Sequence, residues 1–458
     1  MSGAGWAGVA VAGVTAAYAL ASRRLASTPL SAPIVFVGAG IATGPVGLDL
    51  ISAEHDRGPL LTLLEAALTL VLFTDAMAVR PEQLRTGAAL PVRLLGIGLA
   101  LSIASGWLLA WPLLPGLTGW EAALVGAVLA PTDAALGADA IANPRVPGLV
   151  RQGLNVESGL NDGMVLPFFV LFLAAIPGTA YAEEGVGGTF WRALLLSTVL
   201  GLAVGGAGGR LLRSARDHGW ITRQWWQILV LAIAAGAYAL ATVTRGSGFI
   251  AAWVAGFAFA YAMRGSGRRS GSVPSASASA PSSAVPVPVP VPVPDGDDTA
   301  DFAEDLGNLL AMLSLLVFGA VLLGPALEHL GWGIVGYAVL SLTVVRMVPV
   351  ALSLAGTGLK LPTVAYIGWF GPRGLASIVL GLLVAEQQVP GVVLVGRVVA
   401  VTVGLSVLLH GVSAVAFSDR YGRWYERAAA RDRGLRESIG TSRAIRRRRL
   451  DVTGPPGE

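Results

Sequence analysis

The sequence has no cysteine and little charge. Without cysteine, disulfides and thiolate-based metal or redox centres are excluded. Asp, Glu, Lys and Arg make up 13% of the 458 residues, against about 25% in an ordinary soluble domain, so the chain cannot cover itself with polar surface. Neither a Gly-x-Ser-x-Gly elbow nor an HExxH zinc motif occurs, which argues against an intramembrane hydrolase. The four histidines are His55, His218, His329 and His410.

Long apolar runs dominate the chain instead. Hydrophobic residues make up 54% of it, and the mean hydropathy is +0.67. A helix of about 20 apolar residues crosses the hydrocarbon core of a bilayer, and roughly thirteen such runs occur. They lie near 5–21, 30–51, 59–79, 88–112, 119–139, 148–176, 189–212, 222–243, 247–263, 302–324, 330–356, 361–385 and 390–417. The sequence therefore predicts an all-α polytopic membrane protein with about 13 transmembrane helices.

Positive charge alternates between the predicted loops. Loops after odd-numbered spans hold Arg23, Arg24, Arg80, Arg85, Arg93, Arg145, Arg151, Arg213, Arg216, Arg223, Arg264, Arg268, Arg269 and Lys360. Loops after even-numbered spans carry little more than Arg57, Arg192 and Arg245. Because cytoplasmic loops collect Lys and Arg, we expect a multi-pass protein of the plasma (inner) membrane, with the N-terminus outside and the C-terminus cytoplasmic.

The two termini fit this topology. Arg23 and Arg24 follow the first apolar run, whereas a signal peptide has its basic residues before the run, so we expect a retained first span. The tail at 418–458 is rich in arginine, with four in succession at 446–449. On a membrane protein such a tail indicates contact with anionic lipid, and nucleic acid is not expected as a partner.

A Ser/Ala/Val-Pro linker at 264–301 divides the predicted spans. Val and Pro alternate from Val285 to Pro294, and proline at every second position forbids a helix or a central strand. We expect a disordered cytoplasmic spacer, with a peptide-docking role as the alternative. The predicted divisions are spans 1–9 at 1–263, the linker at 264–301, spans 10–13 at 302–417 and the basic tail at 418–458.

Ionisable residues inside the apolar spans are the functional signal, because each charge costs at least about 2.5–3.5 kcal/mol to insert. In span five, Pro131 breaks the helix and Thr132 and Asp133 follow it directly. Oxygen atoms beside such a break suit a hard monovalent cation. The alternative is that Asp133 caps a restarted helix, which is compatible with ion binding.

Span six holds the densest polar cluster, from Glu157 and Ser158 to Asn161 and Asp162. Helical spacing places residues four apart on one face. A carboxylate removed from water there can hold a proton when no cation is present. Competition between proton and cation for one carboxylate gives exchange. The alternative is that the polar cluster has a purely structural role.

Two arginines in later spans supply the matching positive charge. Arg373 lies in span twelve beside Pro372 and two glycines, and Arg346 lies in span eleven. A buried arginine must be paired, so each is a candidate partner of Glu157, and the sequence leaves the choice between them open. Spans five and twelve run antiparallel, as two broken helices of an inverted repeat require.

Three sequence strings resemble the monovalent cation:proton antiporter-1 family, in its NhaP-like group. They are LAPTDAAL at 129–136, NVESGLNDG at 155–163 and GWFGPRGLAS at 368–377. The run LFTDA at 72–76, which contains Asp75, is similar to a phenylalanine-then-acid motif of the family. The resemblance covers roughly residues 10–417 in matching order, and the linker and the basic tail have no recognised counterpart.

The resemblance implies roles for the polar residues of spans five and six. Asp162 matches the ion- and proton-carrying aspartate of the family, and Asn161 matches the asparagine of the electroneutral branch, which exchanges one cation for one proton. Asp133 and Thr132 match the span-five ligand motif, and Ser158 matches a hydroxyl near the ion. Na⁺, K⁺ or Li⁺ and H⁺ are then the substrates, and no cofactor is expected.

The resemblance also implies an architecture. Glu157 with Arg373 is similar to the structural ion pair of the family's core, and Asp75 lies where relatives place an acid near the cytoplasmic ion path. The implied fold is an inverted-repeat antiporter, in which a core with broken helices 5 and 12 moves against a dimerisation domain, in homodimers surrounded by membrane lipids. A K⁺-selective antiporter and, with less support, a cation channel are the alternatives. His410 in span thirteen is expected to be a packing residue, with a pH-tuning role as the alternative.

Overall fold

The computed structural model describes residues 3–25, 28, 30–51, 53–79, 89–133, 136–137, 143–179, 181–182, 185–264, 298–387, 389–432 and 434–438. Throughout these ranges the regular structure is helical, without a strand. Residues 265–297 of the predicted linker and 439–458 of the predicted tail lie outside them, so those two predictions stay untested.

Nine helices precede the linker within the described ranges. They are α1 (Gly3–Leu25), α2 (Ala32–Thr43), α3 (Ala53–Ala78), α4 (Ala89–Leu113), α5 (Gly119–Val128), α6 (Gly148–Ala174), α7 (Val186–Asp217), α8 (Arg223–Val243) and α9 (Gly248–Arg264). A π-helical turn at Leu94–Gly98 lies within α4.

Six further helices follow in the described residues after the linker. They are α10 (Asp298–Phe318), α11 (Trp332–Leu342), α12 (Val344–Ser353), α13 (Leu361–Trp369), α14 (Leu375–Glu386) and α15 (Val392–Arg431). A second π-helical turn, Gly319–Leu323, and the short helix Gly324–Leu327 continue α10.

The helices have the length and composition of membrane spans. Eight helical stretches in the described part of the chain are long and apolar enough to cross a bilayer, and α2, α5, α9 and α14 are shorter apolar helices. In hydrocarbon a helix satisfies its own backbone hydrogen bonds, which is why low-charge sequences of this kind adopt it. The prediction of an all-α polytopic fold is confirmed, whereas the number thirteen stays a prediction.

Glycines allow two of the helices to approach closely. A Cβ atom on Gly205 of α7 would collide with the backbone of Ala255 on α9, and one on Gly209 would lie 2.8 Å from the Phe259 carbonyl. Small residues give this backbone-to-backbone packing where helices meet in a membrane. A Gly-rich run can indicate phosphate binding, but close packing of α7 against α9 explains the run at 205–209.

Two predicted spans contain non-helical backbone. In span five, α5 ends at Val128 and residues 129–133 are irregular, while 134–135 and 138–142 lie outside the described ranges. In span twelve, five non-helical residues, 370–374, separate α13 from α14. Pro131 and Pro372 each lack a backbone donor, which favours these interruptions.

The C-terminal part folds further than expected. Helix α15 continues to Arg431, beyond the predicted end of its span at 417, and a short 3-10 turn, Arg436–Ser438, packs against α6. The buried carboxylate of Glu437 in this turn accepts hydrogen bonds at Oε1 from the Lys360 amide at 2.9 Å and the Thr363 hydroxyl at 2.7 Å. The turn is thus attached to the first residues of α13.

Candidate ion-binding site

The two non-helical segments are hydrogen-bonded to each other. The amide of Asp133 donates to the Pro372 carbonyl at 2.8 Å, and the amide of Leu375, the first residue of α14, donates to Asp133 Oδ2 at 3.0 Å. Ser377 Oγ donates to the carbonyl of Val128, the last residue of α5, at 2.7 Å. These bonds join the end of α5 to the start of α14, and we call this arrangement the crossing (residues 128–133 with 370–377).

Charges at the crossing match the ends of the helices. Arg373 Nη1 donates to the carbonyls of Ala130 and Pro131, which follow the C-terminus of α5. Asp133 accepts at the N-terminus of α14 and also accepts the Leu136 amide at 3.4 Å. A helix carries about half a positive charge at its N-terminus and half a negative charge at its C-terminus, so both placements are favourable. Asp133 therefore does act as a cap, and its role as an ion ligand stays a prediction.

Gly374 makes the close approach possible. A Cβ atom at this position would collide with the Asp133 side chain, including its carboxylate. Any larger residue would push the carboxylate away from the amide of Leu375. The glycine beside Arg373 is therefore needed for the geometry of the crossing.

Thr132, Ser158 and Asn161 form one buried polar cluster. Thr132 Oγ1 lies 3.2 Å from Ser158 Oγ and accepts a hydrogen bond from Asn161 Nδ2 at 2.6 Å. The exposed fraction of each residue is 5% or less. The structure thus brings together three of the predicted site residues from spans five and six.

Asp162 follows Asn161 on α6 and has an unsatisfied oxygen. Its exposed fraction is 6%, and the carboxylates of Asp133 and Asp75 act on it electrostatically. Asp162 Oδ1 and Asn161 Oδ1 are buried, and neither has a hydrogen-bond partner among the described residues. Buried polar atoms are almost always satisfied, so two acceptors without donors on consecutive residues are suited to a bound cation or an added proton.

Glu157 lies on the same helix, but both of its carboxylate oxygens are hydrogen-bonded to Arg346. Its Oε1 and Oε2 accept from Arg346 Nη1 and Nη2 at 2.5 and 2.8 Å, in a buried bidentate pair. Arg373, the partner implied by the family resemblance, instead donates to backbone carbonyls. The reason is that carbonyls released where a helix ends need donors, and Arg373 lies directly beside those of Ala130 and Pro131.

Asp75 of α3 lies against Gly159 of α6. A Cβ atom on Gly159 would approach Asp75 Cβ at 3.4 Å and Cγ at 3.6 Å, so the glycine leaves room for this side chain. Asp75 is partly exposed and acts electrostatically on Asp162. The structure thus places Asp75 beside the polar cluster, and its role in an ion path stays a prediction.

Sequence reasoning missed two polar residues near the crossing. Ser377 holds the end of α5, and Ser406 of α15 accepts the Arg373 amide at 2.7 Å. Isolated serines are common in apolar helices, so neither stood out. The spacing of Ser406 and His410, four residues apart on one helix face, was the available signal.

The match to a family model decides what kind of protein this is. The model described as sodium/hydrogen exchanger, transmembrane, matches residues 10–419. The chain belongs to the sodium/hydrogen exchanger family. This finding confirms the resemblance noted in the sequence, and it covers every element of the crossing and the polar cluster.

Known relatives and solved structures agree with the family. This exchanger-family chain is 26% identical over 421 residues to the K⁺/H⁺ antiporter NhaP of Alkalimonas amylolytica, covering 90% of this chain and 65% of that protein. It is 28% identical over 170 residues to the Na⁺/H⁺ antiporter 2 of Zygosaccharomyces rouxii, covering 35% and 21%. The chain therefore spans less than two thirds of the length of these relatives.

A solved structure shares the fold. The sodium proton antiporter MjNhaP1 from Methanocaldococcus jannaschii superposes with a TM-score of 0.71 at 18% identity, and the match covers 92% of this chain and 98% of that one. The predicted antiporter fold is thereby confirmed.

Proposed function

We propose that the protein is a secondary transporter that exchanges Na⁺, K⁺ or Li⁺ for H⁺, and that it has no enzymatic step. The observation that carries this proposal is the pair of buried acceptors on consecutive residues, Asp162 Oδ1 and Asn161 Oδ1, for which the described residues offer no donor. The printed names of the relatives, which are Na⁺/H⁺ and K⁺/H⁺ antiporters, support it.

The charges around the crossing leave Asp162 in need of a cation. Arg346 and Arg373 are the arginines that the structure buries fully within its described part, and no lysine there is buried. Arg346 is paired with Glu157, and Arg373 donates to the carbonyls of Ala130 and Pro131, so neither guanidinium forms an ion pair with Asp162 in the described structure. Charges within a membrane are costly unless they are paired, so the site favours binding of a metal cation or of a proton.

Exchange follows because the two substrates compete. A cation bound at Asp162 requires the carboxylate to be ionised, and protonation of the same oxygen removes the charge that binds the cation. Loading of one substrate then releases the other, in a ratio of one to one. Asn161 contributes a neutral oxygen, which is consistent with electroneutral exchange.

The proposed ligands are all oxygen atoms. They are the side-chain oxygens of Asp162, Asn161, Ser158, Thr132 and Asp133. Asp133 retains this role alongside its capping bonds because an ionised carboxylate has about four acceptor positions. Hard monovalent cations prefer such oxygen sets, which resemble the interrupted-helix sites of secondary transporters.

The proposal includes the setting of the transporter. We place it in the plasma membrane as a lipid-surrounded homodimer, with the N-terminus outside and the C-terminus cytoplasmic. The alternation of basic loops supports this orientation. We also assign Asp75 to the cytoplasmic ion path, and we propose that the predicted linker, without the helical residues 264 and 298–301, is a cytoplasmic spacer.

A cation channel is the rival function. Channels place rings of carbonyls or charges around an axis, so that ions pass in a continuous file. Here Asp162 is buried within one chain and is acted on by Asp133 and Asp75, without a ring of equivalent groups around an axis in the described part of the chain, which favours occlusion of one ion at a time. Measurements of reversal potential distinguish the two, since a channel passes current along an ion gradient and an electroneutral exchanger does not.

Vesicle transport tests the proposal. In acidified inside-out vesicles, addition of Na⁺, K⁺ or Li⁺ to the wild type should dissipate the pH gradient, and the three half-saturating concentrations should identify the preferred cation. Asp162→Asn should abolish the response. Asp305→Asn, which changes an exposed acid on α10, is the matched control and should transport normally. Full transport by Asp162→Asn would overturn the mechanism.

A further inference from the structure

His410 faces the interruption between α13 and α14 from the neighbouring helix α15. Its exposed fraction is 1%, and its Nε2 lies 2.9 Å from the carbonyl of Trp369, the last residue of α13. Its Nδ1 lies 3.2 Å from Ser406 Oγ and 2.9 Å from the Ser406 carbonyl. Ser406 Oγ in turn accepts the amide of Arg373 at 2.7 Å.

A neutral ring with its hydrogen on Nε2 satisfies three of these four contacts and leaves the Ser406 carbonyl, 2.9 Å from Nδ1, without a donor from the ring. The Arg373 amide donates to Ser406 Oγ, the Ser406 hydroxyl donates to His410 Nδ1, and His410 Nε2–H donates to the Trp369 carbonyl. The ring is then neutral and carries its hydrogen on Nε2. In this arrangement Ser406 and His410 connect the last carbonyl of α13 to a backbone amide four residues later, on the other side of Pro372.

The surroundings favour the neutral ring. The charged groups that act on His410 are the guanidinium groups of Arg373 and Arg346, both positive, and its hydrogen-bond neighbours are backbone carbonyls and a hydroxyl. A third positive charge in the same buried region would be repelled by both arginines. The arginines therefore favour a ring with one N–H, which only one of the two carbonyls can accept.

We propose that His410 and Ser406 form a brace that sets the backbone of 370–374 and thereby positions Arg373 and the Leu375 amide against the span-five segment. His410 is a positioning residue, since it has no contact with the proposed ion ligands. The inference rests on the proposed exchange for its functional consequence, whereas the geometry of the brace stands without it. Packing of the ring against Trp369, with centroids 5.4 Å apart, is the competing explanation.

Substitutions at position 410 distinguish hydrogen bonding by His410 from packing of its side chain. His410→Leu fills the site with an apolar side chain and removes both hydrogen bonds, whereas His410→Gln keeps a donor and an acceptor. Stranding buried partners is costly enough to change affinity about tenfold, so we expect His410→Leu to raise the half-saturating cation concentration about tenfold. His410→Gln should stay within about threefold of the wild type. His329→Leu, at an exposed histidine outside the crossing, is the control.

Hydrogen–deuterium exchange provides a readout that does not depend on transport. In detergent-solubilised full-length protein, the amides of 370–376 should exchange faster in His410→Leu and in Ser406→Ala, and at the wild-type rate in His410→Gln and Ser406→Thr. The Ser406 pair also replaces the position-410 variants if His410→Leu does not fold.

The outcomes decide between the explanations. Equal behaviour of His410→Leu and His410→Gln, in affinity and in amide exchange, would mean that the ring acts by packing alone and would overturn the brace. If the wild type shows no cation-dependent proton exchange, the proposed function fails, and the amide measurements still decide whether the brace exists.

Discussion

Glu157 and Asp162 lie about one and a half turns apart on the same helix, and they have nearly the same burial but opposite surroundings. Their exposed fractions are 2% and 6%. Glu157 has both oxygens bound to Arg346, whereas Asp162 has one oxygen without a partner in the described structure. The comparison shows that hydrogen-bond partners, and not burial, distinguish the two acids, and it is the basis for proposing ion exchange at Asp162 and a structural role for Glu157.

The largest expected effect concerns Asp162, the acid with an oxygen that has no partner in the described structure. Asp162→Asn removes a charge that neither buried arginine pairs with and leaves the neighbouring hydrogen bonds in place. We expect complete loss of cation-dependent proton exchange, with an unchanged or raised melting temperature in detergent. A lowered melting temperature would show that Asp162 supports the fold in the way Glu157 does.

The next effect concerns Glu157, the acid that is paired with Arg346. Glu157→Gln and Arg346→Gln each strand a buried charge, which costs about 3–5 kcal/mol when one partner of a buried pair is removed. Both should lower protein yield and melting temperature. The double variant should recover part of the loss, because no unpaired charge remains. If it is as unstable as the sum of the single variants, the two side chains are not energetically coupled and the ion-pair explanation fails.

A smaller effect concerns the crossing. Gly374→Ala places a Cβ atom against Asp133 and should cost about 1–3 kcal/mol, the usual range for overpacking a tight site. We expect weaker cation binding in the vesicle assay together with reduced thermal stability. Gly336→Ala on α11 is the matched control, because its Cβ atom would meet open space.

The smallest expected effect separates capping from charge at Asp133. Asp133→Asn keeps an oxygen for the Leu375 amide, so the fold should change little, since Asn and Asp cap helices about equally well. Loss of the carboxylate charge near Asp162 should raise the half-saturating cation concentration about tenfold. An unchanged cation affinity would leave Asp133 with the capping role alone.

Acidification probes the same comparison without substitution. Because proton and cation compete for Asp162, each unit of pH decrease below the titration range of the site should raise the half-saturating cation concentration about tenfold, without a change in maximal rate. The Asp133→Asn variant should show the same slope. A maximal rate that falls with unchanged half-saturation would indicate separate sites for the two substrates.

Much of the site could be predicted because polar residues are conspicuous in apolar spans. Thr132, Ser158 and Asn161 are polar in spans that are otherwise apolar, and the structure does bring them together. The choice between Arg346 and Arg373 was not predictable, since both lie on spans far from Glu157 in sequence. Only the three-dimensional position of the carbonyls after α5 shows why Arg373 is engaged elsewhere.

Other features were hidden for a different reason. The helix interruption at 370–374 follows from its glycines and proline, but its hydrogen bonds to α15 depend on a serine that looks ordinary in sequence. Likewise, Glu437 lies in a segment that reads as part of a basic tail. Local composition does not reveal that this acid is buried against the start of α13.

The attachment of Glu437 has a practical consequence for shortened versions of the protein. Truncation after α15 would remove the acceptor of Lys360 N–H and Thr363 Oγ1, and the first turn of α13 would be left open to water. Truncation after Ser438 would keep the hydrogen bonds of Glu437 to the first turn of α13. A shortened version should therefore end at or beyond Ser438 and not at the last long helix, because a cut at 432–434 would separate Glu437 from the start of α13, one half of an interrupted span.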